Sequence, residues 1–289
     1  MSIEVSIIIP VFNKEDYIAD CLDSVLGQTF TDLEVICVDD ASEDQCREIL
    51  QSYAIRDDRL KVICNPENLG PAPSRNRGIE AAKGRFLRFV DADDLLPQRS
   101  TEVLHSRAIR DNVEVVKGSL ALFRGNDTST LDEVFSVPDR IRTQLCEEEC
   151  LWIPWWHTSY LISAELIHRH QLRYPNLVRG EDPVFLASVL VNTRYLSMIE
   201  QIVYLYRQYP KTDGTGCLTM QHVMDTLEHA AMTRHLFMSH YPDCWRRGYS
   251  LFFLNQVRRL IDRCELDADQ LDVVNAELVK IWGSKALRS

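Results

Sequence analysis

Through the first hundred residues, short apolar runs alternate with segments whose apolar positions recur every three or four residues. That alternation predicts strands joined by crossover helices, as a parallel sheet requires. Val5 to Pro10 is the first apolar strand. Asn13 offers a helix N-cap with Asp16 at the third helical position, and Tyr17, Ile18, Cys21, Leu22, Val25 and Leu26 share a face that Gly27 ends. Leu33 to Val38 reads as a second strand running into Asp39 and Asp40. Ser42 and Gln45 then form a capping-box pair for a helix carrying Cys46, Ile49, Leu50 and Tyr53. Leu60 to Cys64 is a third strand, followed by a polar turn from Asn65 to Gly70 and a helix from about Pro73 to Lys83 with Gly84 as its stop. A fourth strand, Phe86 to Val90, runs into Asp91.

Further along, the pattern predicts a helix from about Pro97 to Asp111 and strands near Val113 to Val116 and Leu120 to Phe123. It assigns nothing from Gly125 to Pro138, and from Glu147 to Tyr209 it is mixed. From about Met220 it is helical throughout, with an apolar stripe of Trp245, Tyr249, Phe252, Phe253, Gln256, Val257, Leu260 and Ile261. Arg246, Arg247, Arg258, Arg259 and Arg263 accompany it. Such a stripe either packs on the rest of the protein or lays a helix on an anionic membrane surface.

Composition narrows the choices. The chain of 289 residues is 45% hydrophobic and 26% charged, an ordinary globular mixture with room for a sizeable core. Its net charge of -11 argues against a nucleic-acid partner, whereas a nucleotide needs only local compensation. The nine cysteines are scattered with no C-x-x-C, and Cys21, Cys37, Cys46 and Cys64 on apolar faces read as reduced, buried thiols. Met1 to Pro10 shows no signal-peptide pattern and no segment approaches the ~20 apolar residues of a membrane span, so a cytoplasmic protein is expected, with peripheral membrane contact left open.

The candidate chemistry lies at the strand ends, where open α/β sheets bind ligands. In Asp91-Ala92-Asp93-Asp94, adjacent carboxylates repel unless a positive charge lies between them, and hard oxygen ligands suit Mg or Mn completed by substrate phosphates. The alternative is a solvated turn in which Asp94 caps the next helix. Asp39-Asp40-Ala41-Ser42 is either a turn and cap or a carboxylate that accepts from the imide N–H of a pyrimidine. Asn68-Leu69-Gly70 with Arg75-Asn76-Arg77-Gly78 is either a loop and a solvated helix face or a nucleotide contact through the Arg75 guanidinium.

Taken jointly, Val5 to Asn13, Asp39-Asp40-Ala41-Ser42, Asn68-Leu69-Gly70, Ser74-Arg75-Asn76-Arg77-Gly78-Ile79 and Asp91-Ala92-Asp93-Asp94 resemble the family 2 glycosyltransferases. The resemblance is close over about residues 5 to 100. It continues more loosely through Gly180-Glu181-Asp182 to Tyr204-Leu205-Tyr206-Arg207. It implies the GT-A fold, an α/β three-layer α/β/α sandwich with a mostly parallel central sheet, here with a helical C-terminal region. The expected division is a catalytic domain at 1–215, with a nucleotide-sugar-binding half at 1–110 and an acceptor half at 111–215, followed by helices at 216–289.

The resemblance further implies a metal-dependent, inverting transfer of a hexosyl or N-acetylhexosaminyl group from a nucleotide sugar to a glycan or lipid-linked acceptor, in surface polysaccharide assembly. A UDP-sugar is the default donor. Pro10, Val11, Phe12 and Asn13 would line the base pocket, Asp40 would recognise the base, and Asn68 and Arg75 would support the nucleotide. Asp91 and Ala92 would face the ribose or diphosphate, Asp93 would be the direct ligand of Mn or Mg with Asp91 beside it, and Asp182 would be the catalytic base. Asp182 precedes Pro183, so it also reads as an N-cap. Trp152, Trp155, Trp156 and His157 are either an acceptor platform, with Glu181 beside it, or core and lid aromatics. Where relatives carry Trp-Asn-Lys this chain has Trp156-His157-Thr158, which removes a lysine from the acceptor side. Tyr206-Arg207 and Lys211 to Gly216 resemble a segment that closes over the diphosphate. A silent nucleotide-sugar-binding scaffold, a sugar nucleotidyltransferase and a glycoside hydrolase are the rival readings. The nucleotidyltransferase would carry a Gly-rich, Arg-containing loop where Val11-Phe12-Asn13-Lys14 stands.

Overall fold

The computed structural model describes residues 3–283 except 126, 127, 129, 152–155, 178, 179, 210–218 and 265. The described residues fall into two units, the first drawn from 3–143, 156–174 and 193–209, the second from 144–151, 175–192 and 219–283.

The first unit holds the sheet. Its elements are β1 (Val5–Val11), α1 (Ile18–Leu26), β2 (Leu33–Asp39), α2 (Cys46–Arg56), β3 (Leu60–Cys64), α3 (Pro71–Ala81), β4 (Phe86–Phe89), α4 (Ser100–Asp111), β5 (Val115–Arg124), β6 (Glu133–Phe135), β7 (Arg140–Thr143), β8 (Tyr160–Ser163), α5 (Ala164–Arg169) and β9 (Leu196–Gln208). The strand order is β3-β2-β1-β4-β8-β5-β9-β7, with β6 beside β5. β3, β2, β1 and β4 run parallel. β8 is antiparallel to both β4 and β5, and β5 is parallel to β9.

Alternation along β1 explains why helices cover both faces. Val5, Ile7, Ile9 and Val11 join a core with Cys21, Leu22 and Val25 of α1, Leu50 of α2 and Leu104 of α4. Ile8 points the other way, onto α3, where Gly78 is needed: a Cβ there would lie 2.3 Å from Ile8 Cγ2. A strand buried on both faces reads as a continuous apolar run, which is how Val5 to Val11 looks.

Several local expectations are corrected. Asn13 is not the N-cap of α1: it has φ +50°, its Oδ1 accepts from Glu43 N, and the helix starts only at Ile18. The Ser42–Gln45 capping box does not form; Ser42 Oγ accepts from Asn13 N, and Asp44 and Glu15 accept from Cys46 N and Gln45 N. The two strands expected around residues 113–123 are one strand, β5, whose register against β9 shifts at Gly118, Ser119 and Leu120. Cys64 is exposed, because β3 is an edge strand and Cys64 is its last residue, whereas Cys21, Cys37 and Cys46 are buried.

A buried polar cluster ties α3 to the sheet at the edge away from the strand ends. Glu34 accepts from Ser6 Oγ at 2.7 Å, Lys83 N at 2.6 Å and Lys61 Nζ at 2.5 Å. Burial alone would raise the Glu34 carboxyl, but Lys61, Ser6 and the Lys83 amide hold it below the usual range. A lowered native pKa contributes stability above the unfolded value, lost as pH falls through the native one. Glu34→Gln is therefore expected to cost about 1–3 kcal/mol at pH 7 in denaturant unfolding, with the deficit shrinking below about pH 4. A deficit that stays constant down to pH 3 would assign it to packing instead of charge.

The second unit is helical: α6 (Glu181–Val191), α7 (Met220–His240), α8 (Pro242–Cys244), one π turn (Trp245–Tyr249), α9 (Ser250–Ile261) and α10 (Ala268–Trp282). α6 is buried almost all round, as its composition demands. The tail stripe packs within this unit, Trp245 against Trp282 and Phe253, and Tyr249 against Phe237, while Arg246, Arg247, Arg259 and Arg263 are exposed. Among the described residues no helix is long and apolar enough to cross a membrane.

Candidate active site

The carboxyl ends of β1, β2 and β3 finish level, and β4 stops three residues earlier, opposite Ile8. Asp40 N donates to Val11 O, Asn65 N to Asp39 O and Val90 N to Ile8 O, at 2.8, 2.8 and 3.0 Å. The residues just past β1, β2, β3 and β4 therefore meet. Pro10, Val11, Phe12, Asp40, Asn68, Arg75, Asp91, Ala92 and Asp93 all line one cavity of about 300 Å³. Asn13 lines a neighbouring depression with Glu15, Asp16, Glu43 and Asp44, because its left-handed backbone turns it away.

Asp39 and Asp40 divide their work. Asp39 is fully buried, pairs with Arg47 and accepts from Ser42 N, so it holds the turn. Asp40 gathers the polar loop before α3: Asn65 Nδ2 and Leu69 N donate to its Oδ1 and Gly70 N to its Oδ2. A carboxylate has about four acceptor positions, so three donors leave one for a ligand. Asn68 Oδ1 also accepts from Gly70 N, which fixes the loop at the cavity rim.

Arg75 projects from α3, lies over the Tyr174 ring and donates to Asp91 at 2.8 Å. Burial would raise the Asp91 carboxyl, but Arg75, then His157 and Lys14, hold it below its ordinary value. Asp93 accepts on Oδ2 from Lys14 Nζ at 2.6 Å and from the Tyr209 hydroxyl at 2.6 Å. Asp94 is not a cap for α4, which starts at Ser100; it is buried and accepts from the Tyr204 hydroxyl and Arg207 N, both at 2.7 Å. Burial, then the charges of Asp91 and Asp93, push its carboxyl well up. Arg88, fully buried on β4, donates to Ser100, Thr101 and the Val203 carbonyl and so fixes β4 against α4 and β9.

Lys14, Ser74, Tyr206, Arg207 and Tyr209 belong to this site and were missed or given another role by pattern reading. Tyr206 and Arg207 are part of strand β9, with Arg207 Nε donating to Asp93 O at 2.7 Å. Lys211 to Gly216, with Trp152 and Trp155, lie outside the described residues. Trp156 packs on Phe135 with ring centroids 4.1 Å apart, and His157 is buried against Phe89 and Tyr174.

Glu181 and Asp182 occupy the first turn of α6 in the second unit. The helix N-cap is Gly180, so Asp182 does not cap it and Pro183 is the third helical residue. Gly180 has φ +84°, and a Cβ on it would lie 1.7 Å from His229 Nδ1 of α7. Both the turn and the neighbour demand glycine there.

Asp91 and Asp93 bring hard oxygen donors to this cavity, and the chain answers each with a cation of its own, Arg75 and Lys14. Among the described residues no group of three or more His, Cys, Asp or Glu could hold a metal ion, so a bound cation would take the rest of its shell from substrate.

The model of the "Glycosyl transferase family 2" family matches residues 6–149. EpsJ of Bacillus subtilis, described as an uncharacterized glycosyltransferase, is 32% identical over 216 residues, covering 72% of this chain and 62% of EpsJ. The chain spans 40 to 62% of the length of the first curated relatives it matches. TarS 1-349 of S. aureus, solved in complex with UDP-GlcNAc, superposes with a TM-score of 0.72 at 18% identity, covering 96% of this chain and 81% of that one. The mannosyltransferase PcManGT of Pyrobaculum calidifontis, solved with GDP-Man and Mn2+, gives a TM-score of 0.61 at 18% identity, covering 98% and 84%. The fold is thus GT-A, and with the family match across β1 to β7, the chain belongs to the family 2 glycosyltransferases.

Proposed function

We propose that the protein moves a hexosyl or N-acetylhexosaminyl group from a nucleoside diphosphate sugar to a hydroxyl of a glycan or lipid-linked acceptor, with inversion. The observation that carries this reading is the single cavity in which Asp40, Arg75, Asp91 and Asp93 meet at the carboxyl ends of parallel strands. The exposed Phe12 ring offers a face for a base, beside the remaining acceptor position of Asp40, which suits a uracil imide N–H. UDP-sugars are therefore the first donors to test. Asn68 and Arg75 would support the nucleotide, and Asp93 with Asp91 would hold Mn or Mg, which supplies a Lewis acid for the diphosphate.

In the transfer, the acceptor oxygen forms a bond to the anomeric carbon while the bond from that carbon to the diphosphate oxygen breaks. The electron pair leaves with the diphosphate, and the hydroxyl proton passes to a carboxylate, the role assigned to Asp182. Glu181, Trp156 and His157 are the described candidates for the acceptor side.

Titration calorimetry with uridine, guanosine and thymidine diphosphates, each with and without Mn, tests the donor site. One base is expected to bind in a Mn-dependent way, and its sugars then form the panel for transfer assays. No binding to any of the three would overturn the reading, and binding with no transfer to any acceptor would make the protein a silent binder.

A further inference from the structure

We infer that Lys14 holds the cation's place on Asp93 until metal and donor arrive, and then moves its ammonium to the donor diphosphate. This rests on the donor reading above and adds a residue and a role to it. Both backbones that carry the pair are anchored. Lys14 O accepts from Tyr17 N and Ile18 N at 2.9 Å, and its N donates to Cys46 Sγ. The Asp93 carbonyl is held by Arg207 Nε. Only side chains can exchange, and a lysine suits that exchange: it is a point charge on a flexible four-carbon stem, without the planar fork that would lock an arginine to the carboxylate.

Charge balance explains where the ammonium goes. Within the chain itself Lys14 answers Asp93 and Arg75 answers Asp91, each as one positive charge on one negative. A divalent cation and a nucleoside diphosphate sugar enter as two positive and two negative charges, so the balance of these four side chains is kept only if the Lys14 charge remains in the cavity, which it lines. Cleavage adds one negative charge to the departing diphosphate, and a lysine released from Asp93 is then the mobile cation facing it. The neighbouring depression, with Glu15, Glu43 and Asp44, is the competing place for the displaced ammonium.

The test compares wild type with Lys14→Met and Lys14→Gln in two binding measurements. With no nucleotide, Mn binding followed by the EPR signal of free Mn is expected to be about threefold to tenfold tighter in both variants, since their Asp93 has lost its resident charge. With saturating Mn, calorimetric affinity for the diphosphate is expected to fall by about tenfold, and Lys14→Arg, whose fork stays on Asp93, should recover little of it. Unchanged or weaker Mn binding in the variants overturns the place-keeping role. Tighter Mn with unchanged diphosphate affinity overturns the transfer to the donor and sends the ammonium to the acidic depression. Failure of wild type itself to bind any of the three diphosphates sinks the donor reading, a result separate from either.

Discussion

Asp182→Asn is expected to bind nucleoside diphosphate with wild-type affinity and to lose transfer by about 10²- to 10⁴-fold in kcat, the range for removal of a general base. Asparagine has nearly the same outline but cannot accept the acceptor's proton. The substitution sits in the first turn of a helix whose N-cap is Gly180, so the cap itself does not depend on Asp182. Steady-state kinetics with the donor selected by calorimetry, beside a thermal melt, separates the two quantities. If Asp182→Asn keeps a tenth or more of wild-type kcat, the base is elsewhere, and Glu181→Gln is the next variant to measure.

Asp93→Ala is expected to abolish the gain in diphosphate affinity that Mn confers, by about a hundredfold, while Mn-independent binding does not weaken. The reasoning is electrostatic. Asp93 sits one residue from Asp91 and beside the buried Asp94, whose raised carboxyl already registers their charges. Removing Asp93 relieves that repulsion, while it frees Lys14 and the Tyr209 hydroxyl from their shared oxygen. The fold should therefore melt within a few degrees of wild type, so that a binding loss can be read as a ligand effect. Equal diphosphate affinity in variant and wild type, with and without Mn, would remove the metal from Asp93.

The parallel half of the sheet was legible because β1, β2 and β4 are buried almost throughout and all four strands are punctuated by polar turns; β3, partly exposed at the edge, still falls on the expected Leu60 to Cys64. The other half was not, for identifiable reasons. β6 and β7 are short and largely exposed, so they carry no apolar alternation. β5 is split in pattern by Lys117 to Ser119, yet it is one strand because its register against β9 adjusts there. The caps at Asn13 and Ser42 misled because the two residues bond to each other's segments across 29 and 30 positions, where a local rule expects bonds within each helix. At the site, the strings that end strands could be seen. The partners of Asp93 could not, since Lys14 lies 79 positions away, Arg207 114 and Tyr209 116.

The fit of His229 against Gly180 has a consequence for how such chains can be recombined. His229 lies in α7, a stretch without any recognisable string, yet its imidazole fills the space where a side chain on Gly180 would stand. Swapping tails between relatives while keeping residues 180–191 would set a foreign side chain against the turn that carries Asp182. A smaller one leaves a void and a larger one clashes with the backbone. Where a relative's residue differs from histidine at this position, a working hybrid therefore has to inherit α6 and α7 from the same parent.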